Sequence, residues 1–460
     1  MSQSSGNGYR NGSSTSKGPL SSQSVKFLTF NTWGLKWVSK HRKQRLRAIA
    51  DELSGRASTI SLPGSEVLTT GNRPRADQYD VVALQEIWCQ EDWEYIVMRC
   101  SEIYPYHRIF YSGIITGPGL AILSKIPIES TFLYRFPING RPSAVHRGDW
   151  YVGKSIAITL LESSDPNTYP LAIMNSHMHA PYALDGDAAY ACHRACQAWD
   201  FAKLANLYKK AGYSVVIVGD LNSRPGSLPH RFLTEETGLV DSWEQLNGVQ
   251  DLQAIAKLRP MEQLQYGCTT CDSTLNTWRS HKKPNEACRL DYALIDPERL
   301  ETTAAGVRFT DLIPGVGSFS DHFAYTCTLK LLPRLPTDLP PNSANQSREF
   351  LLHRYANYQE MLQCIATYMA TSRKQRVFRG LHFLLSVVLL ISSLVLSVLT
   401  VWPGVFWVLF VAVVCVTGTL DGLIAFLFGA KEMRALLEVE QEVGGAQHHL
   451  QRFLELKNKS

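Results

Sequence analysis

The stretch SVVIVGDLN, residues 214–222, is an apolar and β-branched run that ends in the polar residues Asp220 and Asn222. Such a run is typical of a strand that is buried on both faces of a sheet. Similar runs recur at 25–33, 80–88, 119–128, 155–161, 171–177, 290–296 and 324–332. Helix-like stretches lie between them, such as 186–211, where apolar residues recur at helical spacing. This alternation predicts a layered α/β architecture with its sheets inside.

The composition of the 460 residues fits a globular protein with an added membrane segment, since 45% are apolar and 19% are charged. The net charge of +5 is mild and argues against wholesale nucleic-acid binding, which usually needs dense basic stripes. Residues 1–24 are rich in Ser, Gly and Asn and lack the apolar core of a signal peptide, which predicts a disordered tail. The ten cysteines are therefore expected to be free thiols in a reducing compartment.

The chain divides into parts of different composition. Its clearest boundary is a Pro-rich polar stretch at 333–347, which is typical of a linker. We predict a tail at 1–24, an α/β domain at 25–332, the linker at 333–347, a cytosolic helix at 348–379, a transmembrane helical hairpin at 380–429 and a cytosolic C-terminal helix at 430–460.

The hairpin is predicted from two apolar runs. Residues 381–401 carry no formal charge, and 405–428 carry only Asp421. Each run is long enough to cross a hydrocarbon core of about 30 Å, whereas ordinary core helices, the alternative, are shorter. Basic residues flank the outer ends of the pair, at Arg373, Lys374, Arg376, Arg379, Lys431 and Arg434, while the turn at 402–404 is uncharged. The positive-inside rule then places both ends, and the α/β domain with them, in the cytosol.

Polar side chains stand where the apolar runs begin or end, which is the usual place for an active site in an α/β fold. They are Asn31, Glu86, His177, His179, Asp220, Asn222, Asp291, Asp321 and His322. Each residue alone is more often a turn residue, a cap or a structural histidine. Their recurrence at successive strand ends predicts that they form one site.

Six motifs around these residues occur in a fixed order: FNTWG at 30–34, LQEIW at 84–88, NSHMHA at 175–180, GDLNSRP at 219–225, CRLDYAL at 288–294 and SDHF at 320–323. In this order they resemble the endonuclease/exonuclease/phosphatase (DNase I-like) family, and within it the neutral sphingomyelinases and the inositol phosphosphingolipid phospholipases C. The resemblance covers 25–332, and the hairpin extends the likeness to the latter enzymes. It implies a four-layer α/β sandwich of DNase I type and phospholipase C-type hydrolysis of phosphosphingolipids to ceramide and a phosphorylated headgroup.

The resemblance also implies roles for the residues at the strand ends. Glu86, helped by Asn31, is expected to hold Mg²⁺, a hard ion that prefers oxygen ligands and polarises phosphoryl oxygens. His322 is expected to be the general base that activates water, with Asp291 fixing its tautomer.

The remaining strand-end residues are expected to handle the phosphate. Asp220 and Asn222 would orient the water and the scissile phosphate, and Asp321 would complete the acidic end of the site. His177 would bind the phosphate or protonate the leaving group. The resemblance assigns the first histidine of such a pair more firmly than the second. His179 is therefore expected only to contribute to substrate binding.

A segment at 148–155, GDWYVGKS, satisfies the pattern of a nucleotide-binding P-loop. A true P-loop opens a helix, but here the apolar run of a strand follows, so nucleotide binding is not expected. Neutral sphingomyelinases carry a similar segment, and the resemblance implies that Lys154 meets the substrate phosphate while Asp149 holds or releases it. Cys268, Cys271, His281 and Cys288 lack a familiar zinc-site spacing and are expected to be reduced thiols and a loop histidine.

Three other functions stay open: a nucleic-acid phosphodiesterase of the same fold, an inositol polyphosphate phosphatase and a non-catalytic membrane adaptor. The first has no use for a membrane hairpin, and the second departs from this chain at 288–291. The headgroup is also open, because phosphocholine and inositol-phosphate substrates demand the same attack on phosphorus, although the resemblance favours the latter.

The resemblance implies membrane partners. Phosphatidylserine, cardiolipin and phosphatidylglycerol are expected to activate the enzyme, and no nucleic-acid partner is expected. The endoplasmic reticulum and the mitochondrial outer membrane are the expected locations, while homo-oligomerisation stays open.

Overall fold

The protein is described by a computed structural model that covers residues 24–55, 79–163, 165–334 and 347–457. The predicted disordered tail and the predicted Pro-rich linker lie almost entirely outside the described residues.

Two six-stranded sheets pack face to face. The first begins with β1 Ser24–Asn31, β2 Val81–Gln85, β3 Tyr106–Ile109 and β4 Ala121–Ser124. The second contains β5 Ile128–Arg135, β6 Ser155–Leu161, β7 Leu171–His177, β8 Ser214–Asp220, β9 Val240–Asp241 and β10 Asp291–Ile295. The chain then returns to the first sheet with β11 Leu300–Arg308 and β14 Ala324–Leu331, between which β12 Leu312–Ile313 and β13 Gly317–Ser318 pair with each other.

The spatial order is β11-β14-β1-β2-β4-β3 in the first sheet and β5-β6-β7-β8-β10-β9 in the second. The pairs β1–β2 and β7–β8 are parallel, and the other pairs are antiparallel. Side chains such as Phe27, Ile173 and Val218 fill the space between the sheets.

Helices cover both outer faces. On the first sheet lie α1 Arg42–Leu53 and α2 Gln90–Cys100, and on the second lies α4 Ala191–Lys210. The shorter helices are α3 Asp149–Val152, α5 Leu228–Arg231, α6 Ser242–Asn247, α7 Leu252–Ile255 and α8 Pro260–Gly267, and a π-helical turn, Phe232–Glu236, follows α5. The predicted four-layer sandwich is confirmed, since the order is helix, sheet, sheet, helix.

The C-terminal part is a pair of long helices. Helix α9, Arg348–Leu399, is continuous over 52 residues, and so joins the amphipathic stretch to the first apolar run. The segments predicted as a cytosolic helix and as the first arm of a hairpin are thus parts of one helix, which no proline interrupts. After a break at 400–403, α10 Gly404–Gly422 continues through a π-helical segment, Leu423–Phe428, into α11 Gly429–Lys457. Both arms are long and apolar enough to cross a membrane, in agreement with a hairpin.

The outer parts of this pair pack on the α/β sandwich. Tyr358 and Ile365 of α9 and Leu436 of α11 are buried in the same core as Trp199 and Phe201 of α4. Each such side chain contributes roughly 1.5–3 kcal/mol by leaving water. The outer parts of α9 and α11 are therefore docked on the sandwich as an additional helical layer.

Candidate active site

Strand register brings most of the predicted residues to one edge of the sandwich. The parallel strands β1 and β2 end side by side, with Asn31 opposite Gln85 and Glu86 directly after it. The parallel strands β7 and β8 end with His177 opposite Asp220. Because β10 runs antiparallel to β8, its first residue, Asp291, lies opposite Asp220 as well.

His322 is held between carboxylates at this edge. Its Nδ1 atom lies 2.9 Å from Oδ2 of Asp291, and its Nε2 atom lies 3.8 Å from Oδ2 of Asp220. The backbone N–H groups of Leu290 and Asp291 donate to the hydroxyl of Thr270, which secures the start of β10. Nδ1 is thus engaged by a buried carboxylate, and Nε2 faces the centre of the site.

Asn31 links the two sheets at the site. Its Nδ2 atom donates to Oε1 of Glu86 and to Oδ2 of Asp220, each at 3.0 Å. Glu86 adopts a left-handed backbone conformation, with φ of 62°, which is uncommon for a residue with a side chain. Gly34 approaches its carbonyl so closely that a Cβ atom at position 34 would lie 2.1 Å from that oxygen. The glycine of FNTWG thus makes room for the turn that aims Glu86 at Asn31.

Asp220 is the central carboxylate. Its Oδ2 atom lies 3.5 Å from Nε2 of His177, and its Oδ1 atom accepts the backbone N–H of Asn222 at 3.0 Å. The side chain of Asn222 donates to the backbone carbonyl of Met178 at 3.0 Å. Asn222 therefore braces the turns after β7 and β8 against each other.

Asp321 lies in an ion pair that the sequence did not indicate. Its Oδ2 atom accepts from Arg279 at 2.5 Å, and Ser320 connects it to the backbone of Asn31. Arg45 is a second unforeseen residue, buried and donating to the carbonyls of Thr32 and Trp33 beneath the FNTWG turn. Neither arginine belongs to a motif, so no local signal identified them.

In the described site, the surroundings of His322 and His177 shift their pKa values in opposite directions. Burial disfavours a charged His322, but Asp291 and Asp220 outweigh this effect and raise its pKa well above the ordinary value. Burial and the positive charge of Lys154 lower the pKa of His177 well below its ordinary value. Burial, followed by the repulsion from Asp321, raises the pKa of Glu86. The site thus concentrates negative charge around His322 and leaves His177 neutral.

Lys154 is buried beside this cluster and is paired with Asp149 at 3.3 Å. Asp149 also accepts the hydroxyl of Tyr182 at 2.6 Å and lies 3.8 Å from Nε2 of His179. His179 stacks on Tyr190, with ring centroids 4.0 Å apart, and burial lowers its pKa to about 3. His179 is therefore a neighbour of the Asp149–Lys154 pair, one layer behind His177.

A metal ion could be held here. Ligand atoms of Asp220, Asp291 and His322 lie within 4.8 Å of one another, and Oε1 of Glu86 is joined to the same cluster through Asn31. Burying several carboxylates together costs free energy unless positive charge compensates them. The carboxylate oxygens of this set fit a hard divalent cation. Asn31 turns its Nδ2 atom toward them, while its Oδ1 atom accepts the backbone N–H of Trp33 at 3.0 Å.

A model of the Endonuclease/Exonuclease/phosphatase family matches residues 28–322, which include every residue of this cluster. The chain belongs to that family. The inositol phosphosphingolipids phospholipase C of Saccharomyces cerevisiae is 62% identical over 443 residues, which cover 94% of this chain and 92% of that protein. The enzyme of the same name from Schizosaccharomyces pombe is 33% identical, covering 91% and 93%. Sphingomyelin phosphodiesterase 2 of Mus musculus is 29% identical, covering 69% of this chain and 67% of that protein.

Two further motifs can now be placed within this family member. The segment 148–155 forms the short helix α3 and runs into strand β6, so a helix does not follow its lysine as in a P-loop. Cys268, Cys271 and Cys288 are free, and Sγ of Cys271 lies 3.5 Å from Nε2 of His322. Among the described residues, these cysteines form no metal-binding group.

Proposed function

We propose that this protein hydrolyses phosphosphingolipids by a phospholipase C-type reaction, releasing ceramide and a phosphorylated headgroup. The observation that carries the proposal is the convergence at one edge of the strand-end residues Glu86, Asn31, Asp220, His177, Asp291 and His322. It occurs in a chain that is 62% identical over 443 residues to a phospholipase C of this specificity. Inositol phosphosphingolipids are the first substrates to test, with sphingomyelin second.

His322 is the proposed general base. Asp291 accepts from Nδ1, and the surrounding carboxylates raise the pKa of His322, which favours its protonated form. A cation held by Glu86 and Asn31 would offset those carboxylates and lower that pKa, so that Nε2 can take a proton from water as the water attacks phosphorus. The P–O bond to ceramide breaks, and the ceramide oxygen takes up a proton as it leaves. Asp291 stabilises the imidazolium that forms, and Asp220 and Asn222 orient the water and phosphate at the same edge.

His177 and Lys154 are the proposed phosphate-binding groups. His177 is buried and neutral, so Nε2 can hydrogen-bond the phosphate or assist the leaving oxygen. Lys154 brings a positive charge that Asp149 now neutralises, and exchange of Asp149 for a substrate phosphate would keep that charge paired. His179 would act on substrate binding through Asp149. Asp321, held by Arg279, completes the acidic wall.

Mg²⁺ is the proposed cofactor, with Glu86 and Asn31 as the residues that would hold it. When bound, it supplies Lewis-acid polarisation of the phosphoryl oxygens. Glu86 must be deprotonated to hold a cation, and burial together with the charge of Asp321 raises its pKa. A cation beside it would offset both effects.

The membrane setting follows from the anchor. We propose that α9 and α10 cross a membrane as a hairpin with the catalytic domain and both ends in the cytosol. The endoplasmic reticulum and the mitochondrial outer membrane are the proposed locations. Phosphatidylserine, cardiolipin and phosphatidylglycerol are the proposed activators, because exposed basic residues flank the hairpin.

The deciding experiment measures ceramide release by the purified full-length protein from inositol phosphosphingolipid and sphingomyelin vesicles. We expect turnover with Mg²⁺ and none for His322→Ala. Single-stranded DNA and inositol polyphosphates serve as competing substrates. Turnover of either one without ceramide release would replace the proposal by the corresponding alternative.

A further inference from the structure

Two loops at the catalytic edge expose large apolar side chains. The loop after β3 carries Ile114 and Ile115, which are 69% and 70% exposed, and the loop after β7 carries Leu184, which is 95% exposed. Leaving such side chains in water forfeits roughly 1.5–3 kcal/mol each relative to burial. Large apolar side chains exposed in two loops at one edge are typical of an interaction surface. We call these three residues the apolar rim.

Both loops are fastened to α3. The backbone N–H of Ile114 donates to the carbonyl of Tyr151 at 2.8 Å. Gly113 has a φ of 73°, and a Cβ atom there would lie 2.4 Å from the carbonyl oxygen of Val152. In the other loop, the hydroxyl of Tyr182 donates to Asp149 at 2.6 Å. The apolar rim is therefore attached to the segment that leads directly into Lys154.

Helix α3 also touches the base of the membrane hairpin. The ring of Trp150 meets the ring of Phe428, with centroids 5.1 Å apart, and Phe428 ends the second apolar run. The second loop contacts the other arm, since Gln375 of α9 donates to Asp187 at 3.5 Å. Gln375 precedes the first apolar run by six positions. Both loops therefore lie level with the ends of the apolar runs, where the hairpin meets the headgroup layer.

We propose that the apolar rim inserts into the lipid surface beside the catalytic edge and holds the opening of the site against the headgroups. This inference rests on the proposed function and adds its contact surface. The occupant is a bilayer because the surface continues directly from the base of the hairpin. Insertion of three such side chains adds a second contact with the lipid surface beside the hairpin and thereby fixes the distance of Lys154 from the phosphates.

The test compares Ile114→Ser/Ile115→Ser/Leu184→Ser with the parent on two substrates: vesicles that contain a phosphosphingolipid, and a short-chain analogue dissolved as monomers. We expect the turnover of the triple variant on vesicles to fall about tenfold or more, which corresponds to about 1.4 kcal/mol. Its turnover of the monomeric analogue should change little. The matched control is Leu207→Ser, because Leu207 is 61% exposed near the end of α4, opposite the catalytic edge. This variant should turn over both substrates as fast as the parent. Equal vesicle turnover by the triple variant would overturn the proposal.

A second measurement is independent of catalysis. A polarity-sensitive dye on Leu184→Cys, in a Cys415→Ser background, should shift to the blue when the protein is reconstituted in phosphatidylcholine vesicles, whereas a dye on Leu207→Cys should not. The background without a new cysteine supplies the blank. A blue shift in a protein whose parent releases no ceramide would support insertion of the apolar rim and reject the proposed function. The same dye response in vesicles and in detergent-free aggregates would instead assign the rim to a second copy of the chain and overturn the proposal.

Discussion

The Nδ1 atom of His322 lies 2.9 Å from Oδ2 of Asp291, and both side chains are almost fully buried. Asp291 begins strand β10, whereas His322 lies two residues before strand β14 of the other sheet. The pair therefore spans the sandwich, and its geometry depends on how the two sheets pack. Neither residue could be brought into this geometry by its own sequence segment.

Replacing Asp291 by Asn tests the pairing. An amide keeps the shape but presents no negative charge to an imidazolium, so we expect kcat to fall about 10²- to 10⁴-fold, the range for a positioned acid or base. The effect should be strongly non-additive with His322→Ala, because both changes remove the same function. Additive losses in the double variant would contradict a shared role. Circular dichroism of each variant provides the folding control.

Glu86→Gln tests the cation site. Loss of the carboxylate should reduce both Mg²⁺ affinity and turnover by at least about two orders of magnitude, since the proposed ion would provide the main electrostatic stabilisation of the transition state. Calorimetric Mg²⁺ titration measures binding without activity. Glu94→Gln is the matched control, because Glu94 is exposed on α2. Full turnover of the parent in excess chelator would contradict the proposed cofactor.

Substitutions of the two histidines of NSHMHA should reduce activity to different extents. His177 faces Asp220, whereas His179 stacks on Tyr190 behind the Asp149–Lys154 pair. We therefore expect His177→Ala to be nearly inactive at all substrate concentrations. His179→Ala should retain most of kcat and show a raised KM. Steady-state kinetics on one substrate decide between the two, and the reverse order of severity would exchange the assigned roles.

Activation by anionic lipid should depend on four of the six basic residues that flank the hairpin. Arg376 donates to the carbonyl of Ala425 and Arg379 pairs with Asp421, so these two fasten the hairpin. The other four, Arg373, Lys374, Lys431 and Arg434, are exposed. Each exposed cation gains about 1 kcal/mol near an anionic leaflet.

The quadruple change of these four to Gln should leave insertion intact and reduce the stimulation of turnover by phosphatidylserine vesicles. The matched control changes four exposed basic residues of the sandwich, Lys257, Lys283, Arg308 and Lys330. Stimulation equal to the parent in the quadruple variant would remove the electrostatic part of the proposal.

Stability should fall in mild acid, partly through His230. This side chain is buried, and its neutral Nδ1 atom accepts the backbone N–H of Gly226 at 3.3 Å. Burial lowers the pKa of His230 from 6.5 to about 4. Between pH 6.5 and pH 4, His230 is protonated in the unfolded state but not in the folded state. The stability present above pH 6.5 is therefore lost as the pH falls through this range. The contribution is on the order of 3 kcal/mol.

His230→Asn keeps an acceptor for Gly226 but cannot titrate. We expect its thermal midpoint in detergent to decline less than that of the parent between pH 7 and pH 5. Identical slopes for the two proteins would show that His230 contributes nothing to acid sensitivity.

The sequence by itself determined the layered α/β class, the two apolar arms and the residues at the strand ends. These features are local, because strand and helix periods and apolar length depend on neighbouring residues. Parallel pairing also makes it predictable that His177 and Asp220 meet, since the carboxyl ends of adjacent parallel strands share an edge.

The tertiary structure alone decided how the two sheets face each other. It brought Arg279 to Asp321, placed His179 behind His177 and docked α9 and α11 on α4. It also joined two predicted helices into α9. These contacts connect residues far apart in the chain, and they form because apolar faces and buried charges must be covered by whichever distant segment packs against them. These contacts cannot be predicted from a local sequence pattern.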